Sequence, residues 1–133
     1  MSDTDELRQE RDDNLKYAFV DRAWNLRHAY QEWIQQELKD LIPKAEFVEP
    51  TLSGTMKSQV QAAIQRMKHI NNHELQEAIE NINGRCAELR LTVSDNVIED
   101  RQSLADCLSR FQGLVRELLD MRRLLDGLWA SDT

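Results

Sequence analysis

The sequence predicts an all-α fold, an elongated up-down-up bundle of three helices, and three observations carry that expectation. Apolar residues recur in steps of three and four along most of the 133 residues, which is helical spacing. Glycine and proline number only four and two in a chain that is 41% hydrophobic and 31% charged, a balance typical of ordered helical proteins. One stretch alone, residues 43 to 54, combines both prolines with a Ser-Gly pair, so a single real linker is expected there.

The first helix is expected from Asp3, which forms a capping-box pair with Glu6, to about Ile42, because Pro43 disfavours helix in the residue before it. Residues 8 to 14 are all polar, so the first three turns are expected to project into water or fray. From Leu15 onward, Phe19, Ala23, Leu26, Tyr30 and Trp33 form one apolar row. Val20, Trp24, Ile34, Leu38 and Leu41 form a second beside it, the pattern of a helix touching two neighbours. Within the linker, Phe47, Val48 and Leu52 are apolar enough to lie against the bundle.

In the middle element Val60, Ile64, Met67, Asn71, Leu75, Ala78, Ile82, Cys86 and Leu89 follow a step close to that of the α-helix. That spacing favours one uninterrupted helix with Asn71 in the apolar row, where a polar residue can fix register. The alternative breaks the helix at Asn71-Asn72-His73-Glu74, giving four helices. Leu91-Thr92-Val93-Ser94 ends the element, and Ser94 is a good N-cap for the next.

The last helix is expected from Asp95 to about Trp129. Counting in sevens from Val97 reaches Leu104, Phe111, Leu118 and Leu125; three positions further lie Cys107, Leu114, Met121 and Leu128. A third row adds Leu108, Val115 and Trp129, which is more than one neighbouring helix would bury. Val97, Leu104, Leu108, Phe111, Leu114, Val115, Leu118, Leu125 and Leu128 are therefore the candidate packing and interaction seam. In an up-down-up arrangement Trp24 and Trp33 would gather with Trp129 at one end, near Met56 and Val60, as core anchors or as an aromatic docking patch. The outline resembles spectrin-type repeats, a likeness of architecture that carries no function.

Net charge is -7, and residues 1 to 43 hold ten acids against six bases. No Lys/Arg cluster rises above its acidic neighbours, so neither nucleic acid nor a membrane surface is an expected partner, and a basic protein is the easier one. Cys86 and Cys107 both fall at apolar helical positions and read as buried thiols of a reducing compartment. The opening Met1-Ser-Asp-Thr-Asp-Glu-Leu-Arg is polar where a secretory leader needs an apolar run, which makes the cytoplasm the expected location of a single helical domain.

Chemistry-bearing patterns are sparse. His69 and His73 are four apart on a helix but lack the glutamate after the first histidine that marks a zinc protease helix. Glu74, Glu77 and Glu80, with Glu117 and Asp120 further on, resemble the paired acidic motifs of MazG-type nucleotide pyrophosphatases, which would imply magnesium between them; a solvated helix face accounts for the same residues. Arg22 and His28 resemble the Arg-x5-His signature of HEPN-type ribonucleases, implying a phosphate-binding arginine and a proton-transfer histidine. No cofactor, metal or catalytic set is expected. The leading expectation is a non-enzymatic protein-interaction module, an adaptor, regulator or chaperone-like bundle that self-associates, a homodimer being the simplest form. The alternative is an acidic inhibitor, immunity protein or DNA mimic that holds a basic partner.

Overall fold

The computed structural model describes residues 3–92 and 96–131, and every element among them is helical, with no strand. Helix α1 runs Asp3–Val48, a 3₁₀ turn follows at Glu49–Thr51, α2 is Gly54–His69 and α3 is Leu75–Leu91. A π-helical turn, Ile70–Glu74, joins α2 to α3, and α4 is Val97–Ser131. No helix among the described residues is long and apolar enough to cross a membrane.

Helix α1 does not stop at Ile42. It passes through Pro43 to Val48, so the expected linker of residues 43 to 54 shrinks to the few residues between Val48 and Gly54. Proline removes one amide and leaves the carbonyl of Lys39 without its helical donor. Both residues face solvent, where water can take that carbonyl, while Leu41, Ala45 and Val48 stay buried at 0%, 0% and 2% exposure. Beyond the proline, continued burial of Ala45 and of Val48, about 1.5–3 kcal/mol for the valine, outweighs one exposed hydrogen bond. The chain reverses only when Thr51 donates its hydroxyl to the Val48 carbonyl at 2.6 Å and Gly54 takes a φ of 62°, a left-handed conformation that suits glycine.

The middle element is neither unbroken α-helix nor two capped helices. The Leu75 amide donates to the Ile70 carbonyl, a bond across five residues that defines the π turn. Its cause lies in the spacing of the buried residues. Met67 and Ile70 are three apart, and Leu75 and Ala78 are three apart, but five residues separate Ile70 from Leu75. At about 100° per residue, regular helix would swing Leu75 about 140° from Ile70; widening one turn returns it to the core. Ile70 is fully buried and Asn71, Asn72 and His73 face water, so the expected place of Asn71 in the apolar row is overturned.

At the start of α4 the side-chain oxygen of Asn96 accepts the amides of Ile98 at 3.1 Å and Glu99 at 3.2 Å, the bonds of an N-cap. The cap expected at Ser94, and Val93 and Asp95 beside it, fall outside the described residues. From the seam, Leu104, Phe111, Leu114, Leu118, Leu125 and Leu128 are buried, whereas Val97, Leu108 and Val115 are half-buried.

Contacts fix which helices meet. Phe19 lies by Arg101, Tyr30 stacks on Phe111, Glu37 binds Arg122 and Phe47 touches Trp129, so α1 and α4 meet in the same chain order. Arg85 with Ser103, Asn81 with Cys107 and Glu77 with Arg110 set α3 against α4 in opposite order. Lys16 with Thr92 and Asp21 with Arg90 do the same for α1 and α3.

Two charged residues occupy the buried row of α1. Lys16, 1% exposed, donates to the carbonyl of Thr92 at the C-terminal end of α3, where a cation complements unsatisfied carbonyls and the helix dipole. Arg27, 6% exposed, has no carboxylate among its partners: it meets Gln31 at 3.1 Å, the His28 ring at 2.7 Å and the face of Trp24 at 4.4 Å. Its Nε and the side-chain oxygen of Asn83 are both buried without a partner.

Candidate interaction surface

With α1 level against α4 through the pairs Phe19/Arg101 and Phe47/Trp129, the outer side of their shared groove is only partly covered. Phe19, Leu26 and Trp33 on α1 and Leu108 and Val115 on α4 are half-buried, and Leu119 is 37% exposed. These residues stand on the flank of each helix turned from its fully buried row, because the sequence carries a second apolar row on both. At one end of the strip a slot of about 150 Å3 is lined by Phe19, Arg22, Ala23, Leu26, Arg101, Leu104, Ala105 and Leu108. Arg22 has no carboxylate partner among the described residues, and Arg101 has only the Phe19 ring, 5.6 Å away. By contrast the other arginines that bridge helices are clamped. Arg66 holds Glu74 and Glu117, Arg85 lies near Asp100, Arg110 meets Glu77, and Arg122 holds Glu37 and Asp40.

The three tryptophans are not brought together. Trp24 lies between the guanidiniums of Arg27 and Arg90, 4.4 and 5.5 Å from its ring centre, while Trp129 touches Phe47 at 5.6 Å. Residues 24 and 47 are about 35 Å apart along α1 at 1.5 Å per residue. The expectation of one aromatic patch rested on α1 and α4 running parallel, which they do, but Trp24 lies too far along α1 from the end that meets Trp129. Trp33 belongs to the strip, and Phe47, 71% exposed, forms with the 41% exposed Trp129 a separate aromatic spot.

Arg22 and His28 do not converge either. Arg22 faces the slot, whereas His28 packs edge-on against Trp24 at 5.3 Å and beside Arg27. Of the acidic pairs, Glu74 and Glu117 do meet, but on Arg66. Glu74 accepts two bonds of 2.5 and 2.8 Å from it, and Glu117 accepts two of 2.8 and 3.3 Å. The guanidinium stands where a magnesium ion would need to be, and holds the Glu74 carboxyl below its ordinary range. Glu77 pairs with Arg110, Glu80 accepts from Gln76, and Asp120 pairs with Arg123. The His69 and His73 rings lie 5.2 Å apart, and the π turn brings Glu74 to 3.6 Å from His69. Regular helix would turn Glu74 about 140° away from that histidine. No group of three metal-ligating side chains forms among the described residues.

Cys86 and Cys107 are free and buried, and burial pushes both thiols above their ordinary range. Sequence reasoning missed the slot and its two arginines. The signal was present, since Arg101 stands seven residues before Leu108 and fourteen before Val115 and therefore belongs to their row. The chain matches no family model, no curated protein and no solved structure.

Proposed function

We propose that this chain is a non-enzymatic protein-interaction module that self-associates through the outer face of α1 and α4, in a cytoplasmic setting that keeps Cys86 and Cys107 reduced. The reading takes the helices as an up-down-up bundle with a coiled-coil-like last helix, an arrangement supported by the order of the contacts between α1, α3 and α4. One observation carries it: the half-covered strip of Phe19, Leu26, Trp33, Leu108, Val115 and Leu119, an apolar surface of the sort that marks docking sites. Sedimentation of the purified chain across the micromolar range tests it. Mass that rises with concentration, and falls back when Trp33→Ser is introduced, is the expected result; a monomer at every concentration ends the self-association reading.

A second reading has its own observation. Asp5, Glu6, Glu10 and Asp13, with Gln9 and Asn14, line one side of the first turns of α1, a carboxylate row suited to a basic protein partner. Binding to a basic partner that weakens steeply with added salt supports it, and salt-independent binding ends it.

A further inference from the structure

Near its start α1 carries the reverse of the slot's chemistry. Leu7 is 65% exposed, and all residues from Asp3 to Arg11 face solvent. The pairing of Phe19 with Arg101 sets Val97, the first residue of α4, level with about residue 15 of α1, so roughly twelve residues, about 18 Å, run past it. At about 100° per residue, Asp3, Glu10, Arg11 and Asn14 lie within about 60° of Leu7; Arg11 is already paired with Asp12 at 3.7 Å, which leaves two open carboxylates beside the leucine on this face. Leu7 has no large apolar neighbour on that face, and neither Asp3 nor Glu10 is ion-paired.

We propose that the Asp3–Asn14 segment of a second copy docks in the α1/α4 slot, with Leu7 against Phe19, Leu26 and Leu108 and with Asp3 and Glu10 on Arg22 and Arg101. Complementarity of charge selects this occupant. In a chain of net charge -7, the slot sets two guanidiniums without carboxylates beside an apolar floor, and the start of α1 sets two unpaired carboxylates beside an exposed leucine. The segment cannot reach its own slot, because α1 is continuous helix from residue 7 to residue 22, a rigid span of about 22 Å.

The contact is head to tail. Two α1 helices paired antiparallel about a two-fold axis present one side to each other along their length. Around α1, Arg22 lies about 60°, Leu26 about 100°, Phe19 about 120° and Ala23 about 160° from Leu7, so such a pair would bring Arg22 to the Leu7 face but turn the apolar slot lining away from it. A heterologous contact leaves one slot and one acidic start open at the two ends, and association continues beyond two copies.

This inference rests on the self-association reading and adds its two surfaces, and two variants of the full chain test it. Arg22→Glu with Arg101→Glu spoils the slot, and Leu7→Asp spoils the docking segment; all three positions are exposed, so helical circular dichroism and the unfolding midpoint should match the unaltered chain. Light scattering should find the unaltered chain growing with concentration and each variant alone associating at least about tenfold more weakly. An equimolar mixture of the two should form a one-to-one complex that grows no further and dissociates in high salt. If the unaltered chain associates but either variant alone associates as well as it does, or the mixture stays monomeric, the docking is wrong while self-association stands. A monomeric unaltered chain ends both.

Discussion

Arg66 and Glu74 meet across the π turn through two bonds of 2.5 and 2.8 Å, although Glu74 is eight positions further on and regular helix would turn it about 80° around the axis from Arg66. The inserted residue rotates α3 relative to α2 and delivers the carboxylate to the guanidinium, where Glu117 of α4 joins it. The turn thus ties the middle element to the last helix. Arg66→Met should cost about 1–2 kcal/mol in urea unfolding, since the cluster is only part-buried. A double-mutant cycle with Glu74→Gln should show a coupling of about 0.5–1 kcal/mol.

Removing one residue should distinguish the π turn from ordinary helix. Deleting Asn72, which faces solvent, converts the five-residue step into four and keeps Ile70 and Leu75 on the core side. Cooperative unfolding should survive it. Deleting Gln76, just past the turn, instead leaves the π register and rotates Ala78, Ile79 and Ile82 away from the core, which should cost more than about 3 kcal/mol or abolish folding. Equal damage from both deletions would contradict this account of the turn.

Acid should weaken the fold through two carboxylates. Hydrogen bonds from Arg66 to Glu74 and from Arg122 to Asp40 hold both carboxyls below their ordinary range. An unfolded chain takes up these protons at higher pH than the folded one. The stabilisation is therefore complete above the ordinary carboxylate range and is lost as pH falls through it toward the folded values. The urea midpoint should drop between about pH 5 and pH 3, and drop less when Arg66→Met and Arg122→Met are combined.

Arg27 should be replaceable at no loss. A guanidinium buried without a carboxylate carries a desolvation cost that its bonds to Gln31 and His28 offset only in part. Arg27→Met should leave the melting temperature unchanged or raise it. Phe111→Ala, at a fully buried position stacked on Tyr30 with ring centres 6.1 Å apart, should cost about 3–5 kcal/mol.

Neither cysteine should react in the native state. Both thiols are buried and raised in pKa, so a disulfide reagent at neutral pH should modify Cys86 and Cys107 only at the rate of unfolding. Rapid labelling of either in the folded chain would overturn this.

The helical class was legible because burial repeats at helical spacing on every long element, Leu104, Phe111, Leu118 and Leu125 being the plainest case. Local rules failed where packing overrode them. Pro43 lowers local helix propensity, but Ala45 and Val48 continue the buried row beyond it. Asn71 fitted an averaged period, yet Ile70 beside it takes the core position, because an average over nine steps hides one step of five. The tryptophan patch failed on length: Trp24 stands about 35 Å along α1 from Phe47, the residue that meets Trp129, and a shared helix direction does not close that distance. The slot was hidden for another reason: Arg22 and Arg101 lie 79 residues apart and only the α1/α4 alignment brings them to one groove.

Helix α1 packs against both α2 and α3, on either side of the widened turn between them. It acts as a splint across the weakest joint of the middle rod: α2 and α3 cannot bend about Ile70 unless α1 first lets go of one of them. Amide hydrogens around Leu75 should therefore exchange with solvent only when α1 detaches, and their exchange would serve as a gauge of how firmly the longest helix holds the other two.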